Sequence, residues 1–292
     1  MRVINFGSLN IDHVYRVERF AKPGETLAST HYQQFVGGKG LNQSIALARA
    51  GAKVMHAGSI GADGATLKST LEADGVDVSC VFDVDGPSGH AIIQVDSRGE
   101  NCILLHGGAN QRNGPETMAC VFGRAKPGDL LLLQNEINDL PAIIQQAAER
   151  QLQVVFNPAP MSNEVLRYPL HKVDYLILNQ TEAAALTAQQ DITEILAMLR
   201  ERFAHCKVVL TQGADGAVYQ DQQQKLHVDA VAVRAIDTTA AGDTFVGYFL
   251  AELCRGSAVK TCLQIACRAA ALCVQKAGAA NSIPYRHQLE ER

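Results

Sequence analysis

The chain has 292 residues, 47% of them hydrophobic and 19% charged. That is enough apolar material for a sizeable core and too little charge for a disordered chain. Lys and Arg number 26 against 30 Asp and Glu, a net charge of −4, which argues against the basic stripe on which nucleic-acid binding usually rests but leaves room for a local positive spot at a phosphate.

Strand-like and helix-like runs alternate from the N-terminus onward. RVINFG (2–7) reads as the first strand, and Asn10 and Asp12 follow it closely. Those polar residues break the apolar stretch a signal peptide would need. No run approaches the roughly 18–20 residues of a membrane span. The expectation is a soluble, cytoplasmic protein with neither membrane nor nucleic-acid partner. Residues 12–36 hold two β-like runs around the turn AKPGE, and GGKGLNQ (37–43) then opens a helix over 39–50. Further strands are expected at 53–61, 129–134, 153–158, 174–179 and 207–213, with helices at 64–74, 139–150, 180–187 and 191–204. Several strands are apolar without strict alternation, which suits parallel strands buried on both faces. Residues 88–106 break the rhythm: Ala91, Ile93 and Val95 alternate with Ile92, Gln94 and Asp96 before a turn. Two helices, about 241–254 and 257–275, close the chain.

This order predicts an α/β doubly wound, mostly parallel sheet flanked by helices. The segments 12–36 and 88–106 read as antiparallel ribbons that pair into a small β lid inserted in the core. Two unrelated surface hairpins would give the same pattern. With no repeat and no long linker, residues 1–292 are expected to form one unit. The eight cysteines include no C-x-x-C pair and read as small buried hydrophobes of a reducing compartment rather than a metal or redox site. No H-E-x-x-H spacing supports a zinc protease.

The segment most suggestive of chemistry is 235–245. Ala240, Ala241 and Gly242 permit a tight turn at a helix start, where orphan amides favour an anion. Asp243 falls in the first turn, where it could take a proton from an attacking hydroxyl. A first-turn aspartate also serves as a simple helix cap. In 35–43, Gly38 allows close approach of backbone to a ligand, Lys39 supplies a cation, and Asn42 supplies a donor and an acceptor. This segment matches neither common nucleotide fingerprint, and a plain glycine turn would explain it. Asn10 and Asp12 follow a strand, where open α/β sheets bind ligands, though an Asn-x-Asp turn is the simpler account. Glu136 and Glu182 follow other strands and would face the same edge.

Taken together, GSLNID (7–12), PGET (23–26), GGKGLNQ (37–43), NPAP (157–160), NQTE (179–182) and DTTAAGDTF (237–245) resemble, in order, the motifs of the ribokinase-like, PfkB-type carbohydrate kinases. The resemblance spans essentially the whole chain. It implies transfer of the ATP γ-phosphoryl group to a sugar hydroxyl, for ribose the 5-hydroxyl. By matching position it implies Asp243 as base, with Ala240, Ala241 and Gly242 as the anion hole. It implies Asn10, Asp12, Gly38, Lys39, Asn42 and Glu136 as sugar contacts. Asn179 and Glu182 would serve the phosphates and hydrated Mg²⁺, and Thr211, Gly213, Gly216 and Cys267 the nucleotide. A K⁺ ion would lie at Asp237, Thr239, Cys273, Lys276, Gly278 and Ser282, mostly through backbone carbonyls. The family's paired lids imply a homodimer. Cys267-Arg268 and Gln134-Asn135-Glu136 depart from the commoner family residues. Deoxyribose, another sugar or a nucleoside would suit the same mechanism, and a non-catalytic sugar-binding regulator would suit the same fold. A nicotinamide oxidoreductase lacks its glycine fingerprint after strand one.

Overall fold

The computed structural model describes residues 1–290. The main sheet is built on seven parallel strands: β1 (Val3–Phe6), β4 (Val54–Ile60), β5 (Asp77–Asp83), β8 (Leu130–Gln134), β9 (Gln153–Asn157), β10 (Tyr175–Asn179) and β11 (Lys207–Thr211). Two antiparallel edge strands, β12 (Ala217–Gln220) and β13 (Lys225–Val228), extend it. The order is β13-β12-β11-β10-β9-β8-β1-β4-β5. Val3 lies level with Val54 on one side and Leu130 on the other. The chain therefore winds outward from β1 through β4, then reverses to β8. Such a switch point leaves a crevice at the carboxyl ends of the strands.

Helices cover both faces, as the apolar strands require. One core layer gathers Leu41 and Ile45 of α1 (Lys39–Arg49), Leu67 and Leu71 of α2 (Ala65–Ala73), Phe245 and Phe249 of α7 (Ala241–Arg255), and Leu263 of α8 (Val259–Cys273). The opposite layer gathers Val121 of α3 (Pro115–Arg124), Ile143 of α4 (Leu140–Glu149), Leu186 of α5 (Gln180–Thr187) and Leu199 of α6 (Ile192–Arg202). α1 and α7 approach closely because Gly247 lacks a side chain; a Cβ there would lie 2.4 Å from that of Ala46.

The segments expected to form a lid do share a second sheet, ordered β3-β2-β6-β7. β2 (Asn10–Arg16) and β3 (His31–Gly37) form one antiparallel hairpin, and β6 (Gly89–Val95) and β7 (Asn101–His106) another. The two hairpins join through a parallel pairing of β2 with β6. Asn10↔Gly37 and Asn10↔Gly89 start both registers, so the sheet grows directly out of the end of β1.

The cysteines depart from expectation at two places. Cys206, Cys262, Cys267 and Cys273 are buried. Cys80 and Cys120, however, are joined as a disulfide between β5 and α3, and Cys102 is exposed on β7. Packing of α3 against β5 brings the first pair together across 40 residues of chain, a separation that carries no local signal. No helix among the described residues is long and apolar enough to cross a membrane.

Candidate active site

The end of β1, the start of α1 and the end of β8 converge on one cleft. Gly40 lets α1 begin against β1; a Cβ there would lie 2.3 Å from the Ser8 amide nitrogen. Gly38 takes a left-handed φ of 93°, open to glycine at no steric cost. This turn aims the Lys39 amide at the Glu136 carboxylate, at 3.2 Å, while the Ser8 hydroxyl donates to the same oxygen. Burial pushes the Glu136 carboxyl up, against the pull of the Lys39 ammonium. Burial alone would lower Lys39; the surrounding carboxylates of Asp243, Glu136 and Glu182 outweigh it and hold the ammonium above its ordinary value. Lys39 thus carries its charge in the middle of three acids.

Asn10 is buried, and its Oδ1 accepts from Asn110 Nδ2 at 2.7 Å. Asp12, on β2, lies against Gly37, where a Cβ would fall 2.1 Å from its Oδ2. Burial first, and the Glu136 carboxylate second, raise its carboxyl to about 7. Asn10, Asn110, Gln111, Asn135, Glu136 and Leu105 line a cavity of about 230 Å³ between the two sheets. Polar groups from the core face Leu105 from the second sheet, a division suited to a small polyhydroxylated ligand.

Asp243 lies in the first turn of α7, yet it does not cap that helix. It is 8% exposed, and both oxygens point at α1. Asn42 Nδ2 donates to its Oδ2 at 3.0 Å, and Gln43 Nε2 donates to its Oδ1 at 2.9 Å. Ala240 precedes the helix in the left-handed region at φ 59°. The Ala241 amide donates to the Thr238 carbonyl at 3.2 Å, whereas those of Gly242 and Asp243 have no acceptor within the helix, and open space lies in front of Gly242. A carboxylate therefore stands beside free amides at a helix start, the arrangement that favours an anion. Asn42 Oδ1 is buried without a partner, an acceptor available to a ligand hydroxyl.

Asn179 and Glu182 form a reciprocal capping box at the start of α5: Glu182 N donates to Asn179 Oδ1 at 2.9 Å, and Asn179 N to Glu182 Oε2 at 3.0 Å. Burial raises the Glu182 carboxyl. Thr211 ends the adjacent β11, so it shares the carboxyl edge. Gly213 is open in front, whereas Gly216 is closed against the Val228 carbonyl. Cys267 belongs to the core, where burial pushes its thiol up to about 11.

The positions matched to a potassium site gather into one knot. Asp237 Oδ1 accepts from Thr239 N and Oγ1, and its Oδ2 accepts from Gly278 N at 2.9 Å. Cys273 Sγ lies 3.0 Å from Ser282 Oγ and 3.6 Å from the Thr239 carbonyl. Lys276 follows through its amide, bonded to the Cys273 carbonyl. Carbonyls, one carboxylate and two hydroxyls suit a hard cation. Among the described residues, no cluster of three or more His, Cys, Asp or Glu could hold a metal.

Sequence reasoning gave no role to Gln43, Asn5, Asn110 or His56, all buried here. The available signal was a polar residue inside an otherwise apolar strand, as with Asn5 in β1 and His56 in β4.

These features describe a fold and cleft built for group transfer to a small polar acceptor. The family described as pfkB family carbohydrate kinase matches residues 2–286, and the chain belongs to that family: it is a sugar kinase. It is 37% identical to the ribokinase of Haemophilus influenzae, over 98% of this chain and 96% of that protein. The ribokinase of Cryptococcus neoformans, solved with ADP, superposes with a TM-score of 0.88 at 32% identity, covering 100% and 99% of the two chains. The ribokinase of Arabidopsis thaliana, solved with ribose and ATP, gives 0.86 at 29% identity, covering 99% and 97%.

Proposed function

We propose that this protein is an ATP-dependent ribokinase that transfers the γ-phosphoryl group to the 5-hydroxyl of D-ribose. One observation carries the reading: a buried carboxylate, Asp243, stands beside the free amides of α7 and is held there by α1 rather than spent on capping. Asn10, Asp12, Gly38, Asn42 and Glu136 bind and orient the sugar. Asp243 accepts the proton of the attacking hydroxyl, and the turn of Ala240, Ala241 and Gly242, in which the Gly242 amide is free, meets the negative charge of the migrating phosphoryl group. Lys39 adds its positive charge on the same side. Asn179 and Glu182 serve the phosphates, while Thr211 and Gly213 line the nucleotide end, with Gly216 shaping its loop and Cys267 backing it from the core. Mg²⁺ carried in with ATP would offset phosphate charge; Asp237, Thr239, Cys273, Lys276, Gly278 and Ser282 would hold a K⁺ ion, whose charge would brace the loop before α7. Dependence on ATP supports a cytoplasmic setting.

Purified protein with ATP, Mg²⁺, K⁺ and D-ribose should yield ribose 5-phosphate, faster with K⁺ than with Na⁺. No product above background overturns the reading. A panel of deoxyribose, hexoses and nucleosides should give lower kcat/KM than ribose; a better substrate among them moves the assignment within the family.

The second sheet acts as a lid and as the seat of a homodimer. Its edge strand β7 exposes Ile103 and Leu104 at 56% and 68%, an edge that invites pairing or cover. Sedimentation should show a dimer, and Leu104→Glu should shift it toward monomer. Wild-type protein that sediments as a monomer at tens of micromolar removes the dimer.

A further inference from the structure

The two donors on Asp243 differ in what stands behind them. Asn42 has an unpartnered Oδ1 facing away from Asp243. Gln43 is fully buried, and every polar atom of its side chain is used. Its Nε2 donates to Asp243 Oδ1 at 2.9 Å and to Asn157 Oδ1 at 3.0 Å, and its Oε1 accepts from Gln134 Nε2 at 2.7 Å. Gln134 Nε2 also donates to Asn5 Oδ1 at 2.9 Å. Asn5 Nδ2 donates to the Gly40 carbonyl at 2.7 Å and to Ser44 Oγ at 2.8 Å. Ser44 Oγ in turn meets His56 Nδ1 at 2.8 Å, and burial keeps that imidazole neutral by pushing it down to about 4.

This relay has a direction. A side-chain amide fits its place either way round by shape, so hydrogen bonding alone chooses its orientation. The Gly40 carbonyl can only accept, so Asn5 must present its NH₂ there and its oxygen to Gln134. Gln134 must then present its NH₂ to Gln43. Gln43 is left with its oxygen toward Gln134 and its NH₂ toward Asp243. Asn157 reinforces the choice, because its Nδ2 is committed to the Ile177 carbonyl at 2.9 Å and its oxygen must accept. Two backbone carbonyls, one at the start of α1 and one in β10, therefore fix the orientation of Gln43.

We infer that Gln43, oriented by Gln134, Asn5 and Asn157, is a positioning residue that aims the Asp243 carboxylate at the acceptor hydroxyl. The inference rests on Asp243 acting as the base. Gln43 makes no contact with the sugar cavity, so its effect falls on turnover rather than binding. Loss of a buried bond to a charged group should lower kcat by about 10- to 100-fold in Gln43→Met, with the KM for ribose within about twofold. Gln134→Met, one bond further back, should lower kcat about three- to tenfold by freeing the Gln43 amide to turn. The decisive measurement is the Gln43→Met exchange in an Asp243→Asn background, read by single-turnover phosphorylation. If Gln43 acts only through the carboxylate, the double variant is no slower than Asp243→Asn alone. Losses that multiply, or a folded Gln43→Met or Gln134→Met enzyme with wild-type kcat, overturn the inference. Should Gln43→Met fail to fold, the same cycle with Gln134→Met decides. A wild-type enzyme that makes no ribose 5-phosphate instead removes the reading on which the inference stands, so the two failures are told apart.

Discussion

Asp243→Asn protein should bind D-ribose and ATP and yet turn over between about a hundredfold and ten-thousandfold more slowly than wild type, the span general-base catalysis supplies. The exchange keeps the size of the side chain and its place between α1 and α7. It removes the carboxylate beside the start of α7 that, as proposed, takes the hydroxyl proton. The asparagine NH₂ would face either Asn42 or Gln43, both of which already present donors, so one contact is lost and the melting temperature falls by a few degrees at about 1 kcal/mol. Calorimetric titration with ribose reports the retained binding, and coupled-assay kcat reports the loss. Near-normal turnover would mean that Asp243 is not the base. If the second sheet is the lid proposed above, the wild-type enzyme should also hydrolyse little ATP without sugar, because closure over the filled site would exclude water; substantial sugar-independent hydrolysis would remove that role from the second sheet.

Six of the seven parallel strands were legible because they are mostly apolar runs without strict alternation, and the helices between them because their apolar residues recur at helical spacing. β1, β4, β8, β9, β10 and β11 lie within the runs expected for them. β5 escaped notice since DVSCVFD alternates polar and apolar residues and leads straight into the turn before β6. The β12–β13 hairpin escaped too: the strands are four residues each, and the polar turn between them dominates the composition. The motifs pointed to Asn10, Lys39, Asn42, Glu136 and Asp243 because function leaves polar and small residues in places where packing prefers apolar ones. What the sequence could not supply is which polar groups touch. Asn5, Gln43, Gln134 and Asn157 come from four elements and meet only once the sheet order is known. Whether Asp243 caps its own helix or faces α1 depends likewise on the close α1–α7 contact permitted at Gly247.

Ribose affinity should depend on pH near neutrality, with Asp12 as the cause. Its carboxyl is raised to about 7, by burial and by the Glu136 carboxylate. Ionised, it would accept hydrogen bonds from sugar hydroxyls at the proposed site; protonated, it would lose acceptor capacity. The KM for ribose should therefore fall as pH rises through about 7, and ribose binding there should release a proton, measurable as a buffer-dependent calorimetric heat. Asp12→Asn should weaken ribose binding by about 10- to 100-fold and flatten this dependence; a wild-type KM that stays flat across neutrality would take Asp12 out of the sugar site. Stability runs the opposite way. A carboxyl raised in the fold from 3.8 to about 7 contributes stability that is fully present below its unfolded value and is lost as pH rises through its folded value, at about 1.4 kcal/mol per pH unit at most. Ligand-free Asp12→Asn protein should accordingly melt above wild type at about pH 8 and level with it at about pH 4. Higher stability with poorer binding would mean that Asp12 stands where it does for the sugar, at a cost to the empty fold.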